Sequence, residues 1–130
     1  ILEQSPEVMQ EVSTLVIQAQ SDLCEVRKMI HKIGFFIEKE KFCMDAGKPY
    51  LVMRAVRGEE KTPYEPAEYE YGRLLPEASD AAYRSYLLDE KDKKMKLQET
   101  LKMQKTSGAG ARVEELTEEI TGLNWILNKF

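Results

Sequence analysis

The chain has 130 residues, 42% of them apolar and 32% charged, with a formal net charge of −4 and two cysteines. Mild acidity argues against nucleic-acid binding by bulk attraction, no apolar run approaches a membrane span, and two irregularly placed cysteines make no disulfide framework. The expectation is a single domain of a soluble intracellular protein, cytoplasm and nucleus undistinguished, and Ile1 in place of an initiator methionine points to a processed chain or an excerpt.

Ser5-Pro6-Glu7 is a helix start: a serine cap, proline at the first helical position, and an acid at the positive end of the dipole. From there Met9, Val12, Val16, Ala19, Leu23, Val26, Ile30, Ile33 and Ile37 fall at alternating steps of three and four, the spacing of a heptad seam. Val8, Leu15, Met29 and Phe36 repeat at sevens beside it, interrupted only by Asp22, and a stripe of that width faces more than one neighbour. The spacing predicts one long helix over 6–46, roughly 60 Å at 1.5 Å per residue, stopped by Gly47. Past Ile37 the next seam position is Glu40, where the seam weakens.

Residues 47–78 read as a crossover. Within it PYLVMRAVR, 49–57, fits a short helix or a short strand; it leans to helix because no second convincing strand offers itself for pairing. Pro63, Pro66, Gly72 and Pro76 then stand too close together for a continuous helix. Tyr64, Tyr69 and Tyr71 lie among Glu59, Glu60, Glu65, Glu68 and Glu70, a candidate docking strip or kinase target, against the plainer reading of rings packed on the long helix.

Ser79-Asp80 opens a second helix, 79–105, whose charged middle DEKDKKMK is laced by pairs such as Glu90 with Lys94. The run 106–111, TSGAGA, is a turn or an engineered join. In 112–130, Val113, Leu116, Ile120, Leu123, Leu127 and Phe130 resume the three-four alternation, and Trp125 sits two residues past a seam position as a candidate anchor for a partner. A short connection makes the two helices an antiparallel hairpin.

Signals for chemistry are sparse. His31 and Cys24 are two helical turns apart in the expected helix, about 10.5 Å, too far to share a metal. Carboxylates stand in runs with no E-x-x-H pair, and Gly108 and Gly110 precede no phosphate-loop G-K-[ST] step. Lys91, Lys93, Lys94, Lys96, Lys102 and Lys105 form the best nucleic-acid candidate, but Asp89, Glu90, Asp92 and Glu99 interleave with them and no aromatic ring is present to stack on bases.

The residues therefore predict an all-α, elongated helical bundle or coiled coil with no cofactor and no metal, acting as a non-catalytic assembly module. Its protein-binding surface, toward itself or another chain, would be Met9, Val12, Val16, Leu23, Val26, Ile30, Ile33 and Ile37 with Leu116, Ile120, Leu123, Trp125, Leu127 and Phe130. The alternatives are a nucleic-acid-associated subunit using 91–105, and a helical arm of a larger enzyme.

Overall fold

The structure, a computed structural model, describes residues 13–104 and 108–130. The expected helix start at Ser5-Pro6-Glu7, the seam positions Met9 and Val12, Lys105 at the end of the expected second helix, and residues 106–107 of the expected turn lie outside the described residues.

The all-α expectation does not hold. The chain forms two compact units, Ile1–Leu75 and Pro76–Phe130, and the first is an α/β structure. The region expected as one helix divides into a strand β1 (Thr14–Ala19), a helix α1 (Leu23–Lys32) and a strand β2 (Phe35–Asp45). Residues 49–57, expected to lean to helix, fall within β3 (Lys48–Arg57), the central strand of a sheet ordered β1-β3-β2. Both neighbours run antiparallel to β3, so β1 and β2 are parallel to each other and α1 is the crossover between them.

Three physical features account for the difference. Val16 and Ile17 are β-branched residues inside TLVIQA, which suits a pleated surface as well as a helix. Gly34, with φ of 86°, follows α1 and ends it well before Ile37. Third, β2 carries a bulge between Ile37 and Lys39, which leaves Glu38 unpaired and shifts the inward positions from odd to even numbers. That shift hides the period of two in FFIEKEKFCMD. Gly47 is left-handed, as a glycine stop requires, but with Ala46 (φ 51°) it forms the two-residue turn joining β2 to β3.

The register divides the sheet into two faces. Leu15, Ile17, Ala19, Leu51, Met53, Ala55, Ile37, Glu40 and Phe42 share one face, on which Ile37, Leu51, Met53 and Ala55 are buried together with Phe35 and with Ile30 of α1. The opposite face carries Val16, Gln18, Arg54, Lys39 and Lys41, all exposed, beside half-buried Val52 and Val56. After β3 come two short helices, α2 (Pro66–Tyr71) and α3 (Leu74–Glu77).

The second unit is a helical pair, α4 (Ala81–Met103) and α5 (Ala109–Leu127), set against the expected bounds 79–105 and 112–130. Asp80 caps α4, its Oδ1 accepting from the Tyr83 N–H at 2.8 Å. Lys94 meets Glu119 at 3.2 Å and Gln98 donates to the Val113 carbonyl and to Thr117 Oγ1, contacts that run in opposite senses along the helices and make the pair antiparallel. Tyr83, Leu87, Leu116, Leu123 and Ile126 are buried.

Candidate functional site

The first unit encloses a charged junction. Arg27 projects from α1 and Glu40 from β2, and both side chains are fully buried. Arg27 Nε donates to Glu40 Oε1 at 2.9 Å, while Nη1 donates to the carbonyls of Tyr69 and Glu70 at 2.8 and 3.0 Å. Those carbonyls lie at the negative end of α2, where a cation is favoured. Nη2 is 2.9 Å from the same Oε1 without the alignment of a hydrogen bond, and Glu40 Oε2 has no hydrogen-bond partner. Burial pushes the Glu40 carboxyl above its ordinary range, against the opposing pull of Arg27.

Gly72 closes the junction. Its backbone, φ 89° and ψ 158°, is one that side-chain-bearing residues avoid. A Cβ there would stand 2.5 Å from Glu40 Oε2 and 3.0 Å from Arg27 Nη2. The chain can pass this close only as glycine.

One helical turn beyond Arg27, His31 is held on both ring nitrogens: Nε2 lies 2.7 Å from Glu60 Oε2, and Nδ1 lies 2.8 Å from the Tyr69 hydroxyl. The same Glu60 oxygen accepts the Ile37 N–H at 3.0 Å, so one carboxylate joins the segment after β3 to both α1 and β2. Tyr64 sets its ring edge-on to His31 with centroids 4.7 Å apart. Its hydroxyl is buried without a hydrogen-bond partner, and burial drives its pKa well above the ordinary tyrosine value. Arg73 covers that ring at 4.2 Å, pairs with Glu68 at 2.6 Å and donates to the Thr62 and Pro63 carbonyls. The crossover that the sequence presents as irregular is therefore tied down at many points.

The predicted surface residues are dispersed. Val16 is on β1 and 72% exposed; Leu23 and Val26 are half-buried and Ile30 buried on α1; Ile33 caps α1; and Ile37 is buried in β2. They form no continuous seam. In the second unit Leu116 and Leu123 are buried, Ile120, Leu127 and Phe130 half-buried, and Trp125 is 37% exposed with the Lys129 ammonium 4.5 Å over its ring. Tyr64 is buried, Tyr69 is bonded to His31, and Tyr71 is half-buried on α2. The lysines of α4 are interlaced with acids: Lys93 with Glu90, Lys94 with Glu119, Lys96 with Asp92.

Sequence reasoning missed Arg27, Glu60, Gly72 and Arg73. For Arg27 a signal existed, since it stands four residues after Leu23 and three before Ile30, on the apolar face of α1. A charge at such a position, like Glu40 on the expected seam, requires a buried partner. Glu60 carries no local mark, being 29 residues from the histidine it binds.

Residues 1–124 match the model of the TrmK family, described as tRNA (adenine(22)-N(1))-methyltransferase. No curated protein is significantly similar. Among solved structures, a Listeria monocytogenes serotype 4b protein of uncharacterised function superposes with a TM-score of 0.89 at 19% identity, covering 97% of this chain and 56% of its own. The B. subtilis M1A22 tRNA methyltransferase TrmK gives 0.80 at 19%, covering 98% and 56%. M. capricolum TrmK, bound to its natural cofactor product S-adenosyl-homocysteine, gives 0.78 at 17%, covering 98% and 54%. The chain thus spans little more than half the length of these structures, and at such identities they speak for the fold.

These findings overturn three expectations together. A non-catalytic coiled-coil scaffold gives way to a family of methyltransferases, the enzyme class was wrongly excluded, and the argument against a nucleic-acid partner fails for a family defined by a tRNA. Mild negative net charge is no argument against such a substrate, because it averages over the whole chain and says nothing of any local surface. With residues 1–124 of 130 matched, this chain belongs to the TrmK family, the tRNA (adenine(22)-N(1))-methyltransferases.

Proposed function

We propose that the protein carrying this chain transfers a methyl group from S-adenosylmethionine to N1 of adenine 22 in a tRNA. The observation that carries this reading is the family match over residues 1–124. The N1 lone pair attacks the sulfonium methyl, the C–S bond breaks onto sulfur, and S-adenosyl-homocysteine leaves, the product found in the M. capricolum relative. A tRNA substrate supports a cytoplasmic location. Among the described residues no helix is long and apolar enough to cross a membrane.

The buried junction itself does not fit the methyl donor. Arg27 Nη2, Glu40 Oε2 and Tyr64 Oη are buried polar atoms without hydrogen-bond partners, but the Arg27 and Glu40 side chains are wholly enclosed and Tyr64 is 8% exposed, so a nucleoside cannot reach them. No step of the transfer is assigned to them. Their role is positional: they fix α1, β2 and the 58–73 segment to one another. β1 and β2 are parallel, so their carboxyl ends, at Ala19 and Asp45, lie along one edge of the sheet, the edge outside which open α/β sheets bind ligands.

The test is methyl incorporation by the full-length protein from labelled S-adenosylmethionine into tRNA, located by the reverse-transcription stop that N1-methyladenine causes. A stop at position 22, absent from a tRNA with guanine there, is expected. No incorporation, or incorporation indifferent to that base change, would overturn the proposal.

A further inference from the structure

The open face of the β2–β3 hairpin differs in character from the rest of the first unit. Across it the register sets Lys39 opposite Arg54, Lys41 opposite Val52, Cys43 opposite Tyr50, and Asp45 opposite Lys48. Four cations thus meet two carboxylates, Asp45 and the bulge residue Glu38, which lies 3.6 Å from Arg54 Nε. The acids of this unit gather elsewhere, at Glu59, Glu60, Glu65, Glu68 and Glu70. A local cationic excess stands out on a chain of net charge −4.

Two further features narrow the partner. Lys39 and Lys41 are exposed and two residues apart on one strand, about 7 Å, comparable to the step between successive phosphates of an extended polynucleotide. Half-buried Tyr50 stands on the same face between Lys41 and Lys48, giving the interleaving of cation and aromatic ring that the lysines of α4 lack. The strip ends at the Ala46-Gly47 turn, on the carboxyl-end edge of the sheet.

We infer that this strip, Lys39, Lys41, Lys48 and Arg54 with Tyr50, binds the phosphate backbone of the tRNA and guides it toward the carboxyl-end edge. The inference rests on the proposed methyltransferase reading. Its cations neutralise phosphates and the Tyr50 ring stacks on any base alike, so they set affinity and salt dependence rather than choice of base.

The test uses the full-length protein and its triple variant Lys39→Gln, Lys41→Gln, Arg54→Gln, with Lys28→Gln, Lys61→Gln as the control for exposed charge. Binding of unmodified tRNA is measured at several salt concentrations, alongside the urea midpoint to confirm folding. The triple variant should bind about tenfold more weakly with a salt slope shallower by about two, the control should match wild type, and Tyr50→Ala should weaken binding about fivefold or more. A triple variant that folds and binds tRNA as wild type does overturns the inference, whether or not its solution mass also changes, which would assign the face to a second copy. Failure of the parent reading shows separately, as wild-type protein that does not methylate adenine 22.

Discussion

At Gly72 a single methyl group would meet both members of a buried ion pair, so Gly72→Ala combines backbone strain with a collision at Glu40 Oε2. The strain alone is on the order of 1–3 kcal/mol, and urea unfolding should show a loss at least that large. Arg27→Met removes one buried charge and strands the other, a change that typically destabilises by about 3–5 kcal/mol. It also acts on pH dependence, since Arg27 is what opposes the rise of the Glu40 carboxyl. In the variant the folded chain keeps a proton that the unfolded chain releases above about pH 4.5, so its stability falls as pH rises from there through the raised folded value. Urea midpoints across that range should diverge progressively from wild type. Arg27→Met with Glu40→Leu should abolish the divergence and recover part of the stability; full recovery is not expected, because the Tyr69 and Glu70 carbonyls still lose their donor.

At the scale of elements, the β2 bulge decides which side chains face inward. Without Glu38 the strand reads Phe35 in, Phe36 out, Ile37 in, Lys39 out, Glu40 in, Lys41 out, Phe42 in, an unbroken alternation. Deleting Glu38 should therefore preserve register and lower stability by only on the order of 1 kcal/mol, because the half-exposed Arg54 pair it removes is weak. Deleting Lys41 instead turns Phe42 to the open face, and thermal unfolding should register a far larger loss. The same bulge made β2 illegible as a strand, whereas local signals elsewhere could be read. The helical start at Ser79-Asp80 could be read because a cap is a local signal, and the structure's cap lies at Asp80. Leu23, Val26 and Ile30 carry helical spacing and do lie on a helix, yet the pattern runs without a break into strands on either side. Pro66 at the first turn of α2, with Glu65 and Glu68 forming a capping box, was visible as punctuation but not as a helix of six residues.

For the whole molecule, the candidate site was illegible because its members meet across sequence distances of 13, 29, 38 and 42 residues. Periodicity can say that Arg27 shares a face with Ile30; it cannot say that Glu40 or the end of α2 lies opposite. The lysines of 91–105 offer a nucleic acid only as an alternative partner, and it is the family description that points to a tRNA. The β2–β3 hairpin closes through a two-residue turn, a contact reached in about 1–10 μs, whereas β1 must be carried across α1 to pair with β3. Docking of β1 then comes late on the folding route. Ile17→Ala in this strand should speed unfolding and hardly slow refolding, while Leu51→Ala in β3 should slow refolding, a contrast that stopped-flow chevrons can resolve.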